Sequence, residues 1–267
     1  SRHYRPSLTS MFRHRTFLQY PHRSSRMYRK ILVALEHSAA DNAILGHATD
    51  LAKLTGGEVY AQVADMTREA DIAKLVRAAQ EKFGTVDILV NNAGISQRSL
   101  VVETPLEIDR KVMEVNYFGT IALTKALLPN FNRIQKGNII VISSMTGLFG
   151  FSYRSAYAAS KHALHGFFET LQIEQPIKNL YTTIICPGRI QTNISLSAIT
   201  ANGQPHGEMD PGQAHGIPAD ECARKIIRAM QKRKPVYIIS REEKWLYYIK
   251  KISRSWFLRM ARKVKAK

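Results

Sequence analysis

Ser144, Tyr157 and Lys161 are the residues of this chain whose types and spacing suit acid–base chemistry. Tyr157 and Lys161 lie four residues apart in AYAASKHALHGFFETL, a stretch rich in helix formers and free of proline, so they share one helical face. A free phenol titrates at about 10, too high for work at neutral pH. An ammonium one turn away favours the phenolate and lowers that value. Ser144 ends a strand-like run with Ile139, Ile140, Val141 and Ile142, where its hydroxyl can polarise a carbonyl while the phenol donates or removes the proton. A Tyr-x3-Lys pair alone is weak, because most such pairs are simply a solvated helix face.

The surrounding motifs raise its weight. DILVNNAG over 87–94, Asn116 in VMEVNYFGT, Ser144 thirteen residues before Tyr157, CPGRIQT over 186–192 and Asp65 in ADMT occur in order. Together they resemble the short-chain dehydrogenase/reductase family over about residues 57–245. The resemblance implies that Tyr157 is the general acid or base and that Lys161 lowers its pKa and holds the nicotinamide ribose. It also implies that Ser144 orients the substrate oxygen and that Asn116 supports a proton relay through water. The implied cofactor contacts are Asp65 near the adenine, Asn92, Ala93 and Gly94 in the turn after the fourth strand, and Pro187, Gly188 and Thr192 by the nicotinamide, with Tyr157 and Lys161. The cofactor is NADP or NAD; no metal site is implied. Plainer readings stay open for the neighbours: Asn91 and Asn92 as ties between strand ends, His162 and His165 as packing or surface residues, and Ser143 as a strand residue with a locally satisfied hydroxyl. No G-x-S-x-G elbow surrounds Ser144, so a serine hydrolase is unsupported.

The other half of a dinucleotide site is missing from the sequence. Such a fold needs a Gly-rich turn after its first strand, so that the pyrophosphate can approach a helix N-terminus. The first strand candidate, KILVAL over 30–35, is followed by Glu36-His-Ser-Ala-Ala-Asp41, with no glycine and with a carboxylate that repels phosphate. The stretch 27–56 instead resembles the opening strand and helix of universal stress proteins, in which an acidic residue at the position of Glu36 borders an ATP site. Glu36 replaces the usual Asp there, and that family's later Gly-rich phosphate motif is absent.

Element counting gives strand 30–35, helix 39–54, strand 58–64, helix 68–83 and strand 86–90 before NNAG. Ile44, Leu45, Ala48, Leu51 and Ala52 form one stripe, and Leu75, Val76 and Ala79 another. The fold expected is α/β, a Rossmann-like doubly wound, mostly parallel sheet lacking one N-terminal β-α unit. Strand 30–35 is expected in the central first-strand slot.

At 267 residues and 45% hydrophobic, one sizeable α/β domain is expected over 30–240. Two cysteines, Cys186 and Cys222, make no disulfide framework or metal cluster and suit a reducing, cytoplasmic setting. No apolar run approaches the ~20 residues that span a bilayer. The net charge of +18 divides unevenly: 1–30 carry eight basic residues and no acid, 224–267 sixteen against two, and 31–223 fifteen against nineteen. The interior is mildly acidic and the ends are basic. Residues 1–29 form one basic end; their Arg- and Ser-rich composition suits organellar targeting by 1–26, but a disordered extension is the preferred reading.

Pro218-Ala219-Asp220 opens a helix with Cys222, Ile226, Ile227 and Met230 on one face, and 236–239 is a short last strand. Over 241–267, Trp245, Ile249, Ile252, Trp256, Met260 and Val264 recur every three or four residues with Lys and Arg between them. This reads as one basic amphipathic helix, lying on an anionic membrane or packing on the domain or a second subunit. Nucleic acid is not expected as a partner, because no binding module accompanies the charge. Residues 193–217, rich in Gly, Pro and His, read as a mobile lid over the substrate, with His206 and His215 facing solvent. An NAD(P)-dependent oxidoreductase acting on a small alcohol or ketone is expected, as a homo-oligomer with peripheral membrane contact through 241–267. The alternatives are a catalytically silent protein that keeps the fold as a scaffold, and an ATP-binding stress-type protein.

Overall fold

Two apolar runs, residues 139–142 and 184–186, lie in neighbouring parallel strands buried on both faces: Ile139, Val141, Ile184, Ile185 and Cys186 have essentially no exposure. Continuous apolar character, rather than alternation, is what a strand covered by helices on both sides requires. The computed structural model describes the backbone of residues 30–35 and, in full, residues 58–174 and 176–264. The expected helix 39–54 with its stripe, the basic extension 1–29 and most of the stress-protein-like segment fall outside the described residues.

In chain order the elements are β1 (Lys30–Leu35), β2 (Glu58–Val63), α1 (Glu69–Phe83), β3 (Ile88–Asn91), α2 (Leu106–Met113), a π-type turn (Glu114–Gly119), α3 (Thr120–Ile134), β4 (Gly137–Ile142), α4 (Ser155–Glu174), β5 (Leu180–Pro187), α5 (Pro211–Ala214), α6 (Ala219–Gln231), β6 (Val236–Ile239), α7 (Lys244–Ile252) and α8 (Arg254–Ala261). Strands β3, β4, β5 and β6 pair in that order, all parallel. Because successive side chains point to opposite faces, the strands feed two cores. Leu89, Ile139, Val141, Ile184 and Cys186 pack with α1, α3 and α4, whereas Ile140, Ile185 and Ile239 pack with Cys222, Ala229 and Met230 of α6. The α/β doubly wound class is as expected.

Strand β1 is not where the sequence reading put it. It pairs in parallel with β2, Lys30 opposite Glu58 through Leu35 opposite Val63, and among the described residues no ladder joins β1 to β3. In an open sheet of order 3-2-1-4-5-6 the first strand is the one that pairs with the fourth. The fourth position here belongs to β3, which leads into NNAG. The β1–β2 pair therefore matches the second and third positions, joined by a connection long enough for a crossover. The helix α1 packs on both of these strands and on α3, which in turn packs on β3 and β4, so one helical layer spans the two sheets.

The tail also departs from expectation. It is two helices, α7 and α8, not one. Ser253 adopts an extended conformation (φ −149°, ψ 113°) that ends α7, and its hydroxyl accepts the Trp256 N–H at 3.2 Å to cap α8.

Candidate active site

All paired strands are parallel, so their C-terminal ends line one edge of the sheet, where open α/β folds bind ligands. Ser144 lies two residues beyond β4 in extended conformation, its Oγ accepting the N–H and hydroxyl of Thr146 at 3.1 and 3.0 Å. Those bonds cap a short 3-10 turn, Met145–Gly147, which packs on α4. Tyr157 and Lys161 stand on the first turns of α4, one above the other as four-residue spacing dictates. Lys161 is buried; its Nζ lies 5.6 Å from the centre of the Tyr157 ring and donates to the Ile142 carbonyl at 2.8 Å.

Asn116 sits in the π-type turn between α2 and α3, with no exposure. The wider turn aims its amide at the loop after β3 and at α4. Its Oδ1 accepts the Ile95 N–H at 2.8 Å, and its Nδ2 donates to the Ile95 carbonyl at 2.9 Å and to Ser160 Oγ at 3.0 Å. Ser160 in turn donates to the Tyr157 carbonyl at 2.9 Å. One buried side chain thus joins the NNAG loop to the helix that carries Tyr157. A Cβ on Gly94 would stand 3.1 Å from Asn116 Oδ1 and 3.4 Å from Lys161 Nζ. Glycine at 94 therefore lets the loop backbone lie against Asn116 and Lys161, where a side chain would crowd both.

Burial pushes the Tyr157 phenol up from its ordinary value; its hydrogen bond with Ser144 and the positive charge of Arg154 pull it back. Burial brings the Lys161 ammonium down to about 8. Arg154, which sequence reasoning missed, immediately precedes α4. It donates to Ser96 Oγ at 3.2 Å and to the Gln97 carbonyl at 2.9 Å, and its second terminal nitrogen lies 3.7 Å from Asp210. Arg98 meets the same carboxylate oxygen at 3.1 Å. Burial works against the Asp210 charge, but bonds from Arg98 and the Gly212 N–H and the charges of both guanidiniums hold its carboxyl below the usual range. The only hint in the sequence was a lone Arg three residues before Tyr157.

Asp210 belongs to the 193–217 segment, which is pinned rather than loose. Ile199 bridges Gln97 and Pro205, Ile217 bridges Ile190, and Asp210 holds the two arginines. Beneath it opens a cavity of about 800 Å³ lined by Arg98, Tyr153, Thr200, Gln204, His206 and Met209 among others. His206 is half-buried in that lining, and His215 is exposed, bonded to the Pro211 carbonyl.

The remaining expected positions are spread along the edge. Asn92 is exposed; Ala93 packs on the larger core; Asn91 is buried and donates to Thr124 Oγ1 at 3.0 Å, a tie from strand to helix. Pro187 ends β5, the Gly188 N–H donates to the Ile239 carbonyl at 2.8 Å, and Thr192 is exposed. Asp65 follows β2 and accepts the Thr67 N–H and hydroxyl, bonds that lower its pKa. Behind the site, Ser143 Oγ meets His165 Nε2 at 3.0 Å and Cys186 Sγ lies 3.7 Å from the same nitrogen. Burial lowers the His165 pKa against the opposing Glu169, and raises the Cys186 thiol to about 12. Among the described residues no cluster suits a metal ion and no helix is long and apolar enough to cross a membrane.

The side-chain-free approach at Gly94, beside Lys161 and Asn116, fits the ribose–nicotinamide end of a dinucleotide. For its pyrophosphate end the sequence after β1 offers no glycine before Gly46.

A family model described as short chain dehydrogenase matches residues 28–202. Dehydrogenase/reductase SDR family member 7B of Mus musculus is 41% identical over 197 residues, covering 73% of this chain and 61% of the relative. Dehydrogenase/reductase SDR family protein 7-like of Drosophila melanogaster is 39% identical, covering 72% and 60%. The chain spans about half to three fifths of the length of such curated relatives. Among solved structures, a short-chain dehydrogenase from Streptomyces avermitilis superposes with TM-score 0.65 at 25% identity, covering 85% of this chain and 99% of that one. A short chain dehydrogenase/reductase from Burkholderia phymatum in complex with NAD gives 0.64 at 19% identity, a likeness of fold.

Proposed function

The chain belongs to the short chain dehydrogenase family, and on that premise we propose that it is an NAD(P)-dependent oxidoreductase interconverting a small alcohol and its ketone. The observation that carries this reading is the meeting of Ser144, Tyr157, Lys161 and Asn116 beyond the C-terminal edge of the sheet: Ser144 hydrogen-bonds Tyr157, Lys161 Nζ lies 5.6 Å from its ring, and Asn116 ties the loop after β3 to the same helix. In the reductive direction the Tyr157 hydroxyl gives its proton to the substrate oxygen as that oxygen gains charge. Ser144 Oγ–H points the same oxygen toward the phenol, and Lys161 steadies the phenolate left behind. Asn116 fixes the backbone and helix between which a proton-relaying water would sit. The cofactor, NAD or NADP, supplies or accepts the hydride when bound. Asp65, Asn92, Ala93, Gly94, Pro187, Gly188 and Thr192 are the residues assigned to hold it, with Tyr157 and Lys161 on its ribose.

The finer parts of the reading rest on sequence. They are a division into 1–29, 30–240 and 241–267, a homo-oligomer, a cytoplasmic location and peripheral membrane contact through 241–267. The universal-stress-protein likeness of 27–56 rests on its residues alone, and the family model already matches from residue 28. Neither the silent-scaffold nor the ATP-binding alternative gains support from the matches.

Calorimetry with NADH and NADPH, followed by ketone reduction, tests the proposal. Binding of at least one cofactor is expected, with turnover lowered roughly 10²–10⁴-fold in Tyr157→Phe. An intact fold that binds neither cofactor, or a Tyr157→Phe protein that retains activity, overturns it.

A further inference from the structure

The two tail helices have two apolar faces, and the fold uses only one. Leu246, Tyr247 and Ile249 of α7 and Phe257 of α8 pack on the larger core. Phe257 packs against Phe149 with ring centres 5.7 Å apart and planes tilted by 59°, and Lys250 Nζ donates to the Leu148 carbonyl at 2.7 Å. Both contacts fasten the tail to the segment just beyond the Met145–Gly147 turn that Ser144 caps. The inner face is thereby committed, and the outer one cannot turn inward.

That outer face is Trp245, Tyr248 and Ile252 on α7, at spacings of three and four, continued by Trp256 and Met260 on α8. It is open: Trp245 is 61% exposed, Ile252 78% and Trp256 48%. Clustered exposed apolar surface rimmed by charge marks an interaction site. Its charge says which kind. No acid occurs from Lys244 to Val264, while Lys251, Arg254, Arg259, Arg262 and Lys263 are all exposed around the aromatic residues. Tryptophan and isoleucine that enter an interface, ringed by cations that stay in water, fit the headgroup layer of an anionic bilayer.

We propose that the face formed by Trp245, Tyr248, Ile252, Trp256 and Met260 docks this protein on an anionic lipid surface. The inference rests on the membrane contact proposed above and gives it a face and a lipid chemistry. It does not depend on turnover. The break at Ser253 lets two short helices lie along the surface while Phe257 stays in the protein core.

Trp245 and Trp256 are the only tryptophans in the chain, so intrinsic emission reads the face directly. The full chain is mixed with vesicles of phosphatidylcholine containing phosphatidylserine, and with phosphatidylcholine alone. Expected are sedimentation with the anionic vesicles and a blue-shifted emission, both weakened by added salt, and about tenfold or greater loss of binding in Ile252→Glu. Circular dichroism checks that this exposed substitution leaves the fold intact. No binding to either vesicle removes the contact and the face together. Binding with unchanged emission, or binding indifferent to phosphatidylserine, leaves a membrane contact but overturns this face. A dimer that Ile252→Glu converts to monomer, without vesicle binding, assigns the face to a second copy and equally overturns the proposal.

Discussion

Lys161 Nζ donates a hydrogen bond to the carbonyl of Ile142 at 2.8 Å, at the very end of β4. The buried amine is thus tied to the sheet rather than left to solvent, and burial brings it down to about 8 from 10.5. Between those two values the unfolded chain binds more protons than the folded one, so stability rises with pH through that window. Below about 8 the amine is protonated in both states, and the fold carries the full cost of the buried charge. Lys161→Met removes the titrating group. Urea unfolding of both proteins should show the parent gaining up to about 3 kcal/mol on the variant as pH climbs from about 8 to about 10.5. Parallel curves would refute the shift.

The charge of Arg154 lowers the Tyr157 phenol, and Asp210 lies against that guanidinium at 3.7 Å. Removing the cation in Arg154→Gln should raise the phenol further and move the alkaline limb of the pH–rate profile upward. Asp210→Asn leaves the guanidinium less opposed and should move that limb downward. Arg154→Lys should restore most of the parental profile. Profiles in all three variants identical to the parent's would show that the ion cluster only holds the 193–217 segment.

Asn116 satisfies both backbone groups of Ile95 and the Ser160 hydroxyl. Asn116→Ala leaves those buried groups unpaired, at about 1–3 kcal/mol for each group stranded. Thermal denaturation should show a clear drop in Tm. Asn116→Asp should fare no better than alanine, since a carboxylate cannot donate to the Ile95 carbonyl.

With β1 in the second position of the sheet, Glu36 follows the strand after which an acidic residue hydrogen-bonds the ribose 2′-hydroxyl and disfavours a 2′-phosphate. NADH should therefore bind at least about tenfold more tightly than NADPH, by calorimetry, and Glu36→Arg should narrow the gap. A parent protein that prefers NADPH would remove Glu36 from this role.

Much of the site was legible because its chemistry is written in short-range spacing. Tyr157 and Lys161 had to share a helix face, and continuous apolar runs had to become covered parallel strands. The π-type turn at Asn116, the Ser160 link and the Arg98–Asp210–Arg154 cluster were not legible. Each depends on segments far apart in the chain meeting at hydrogen-bonding distance, and no local periodicity encodes that. The tail shows the same limit: its apolar repeat was clear, but the division into an inner face at Leu246, Ile249 and Phe257 and an outer face at Trp245, Ile252 and Trp256 needed the core against which to measure them.

By itself, then, the sequence determined the α/β class, the residues able to move a proton, and the absence of glycine between Leu35 and Gly46. The tertiary structure alone decided which strand sits beside which. A strand's apolar pattern makes it fit several slots of a parallel sheet equally well, and only its hydrogen-bond ladder identifies its neighbour. The ladder from Lys30–Leu35 to Glu58–Val63, with none to Ile88–Asn91, moves β1 out of the first position. That placement gives a physical reason for the glycine-free sequence after it: pyrophosphate is gripped after the first strand of such a sheet, and β1 is not that strand.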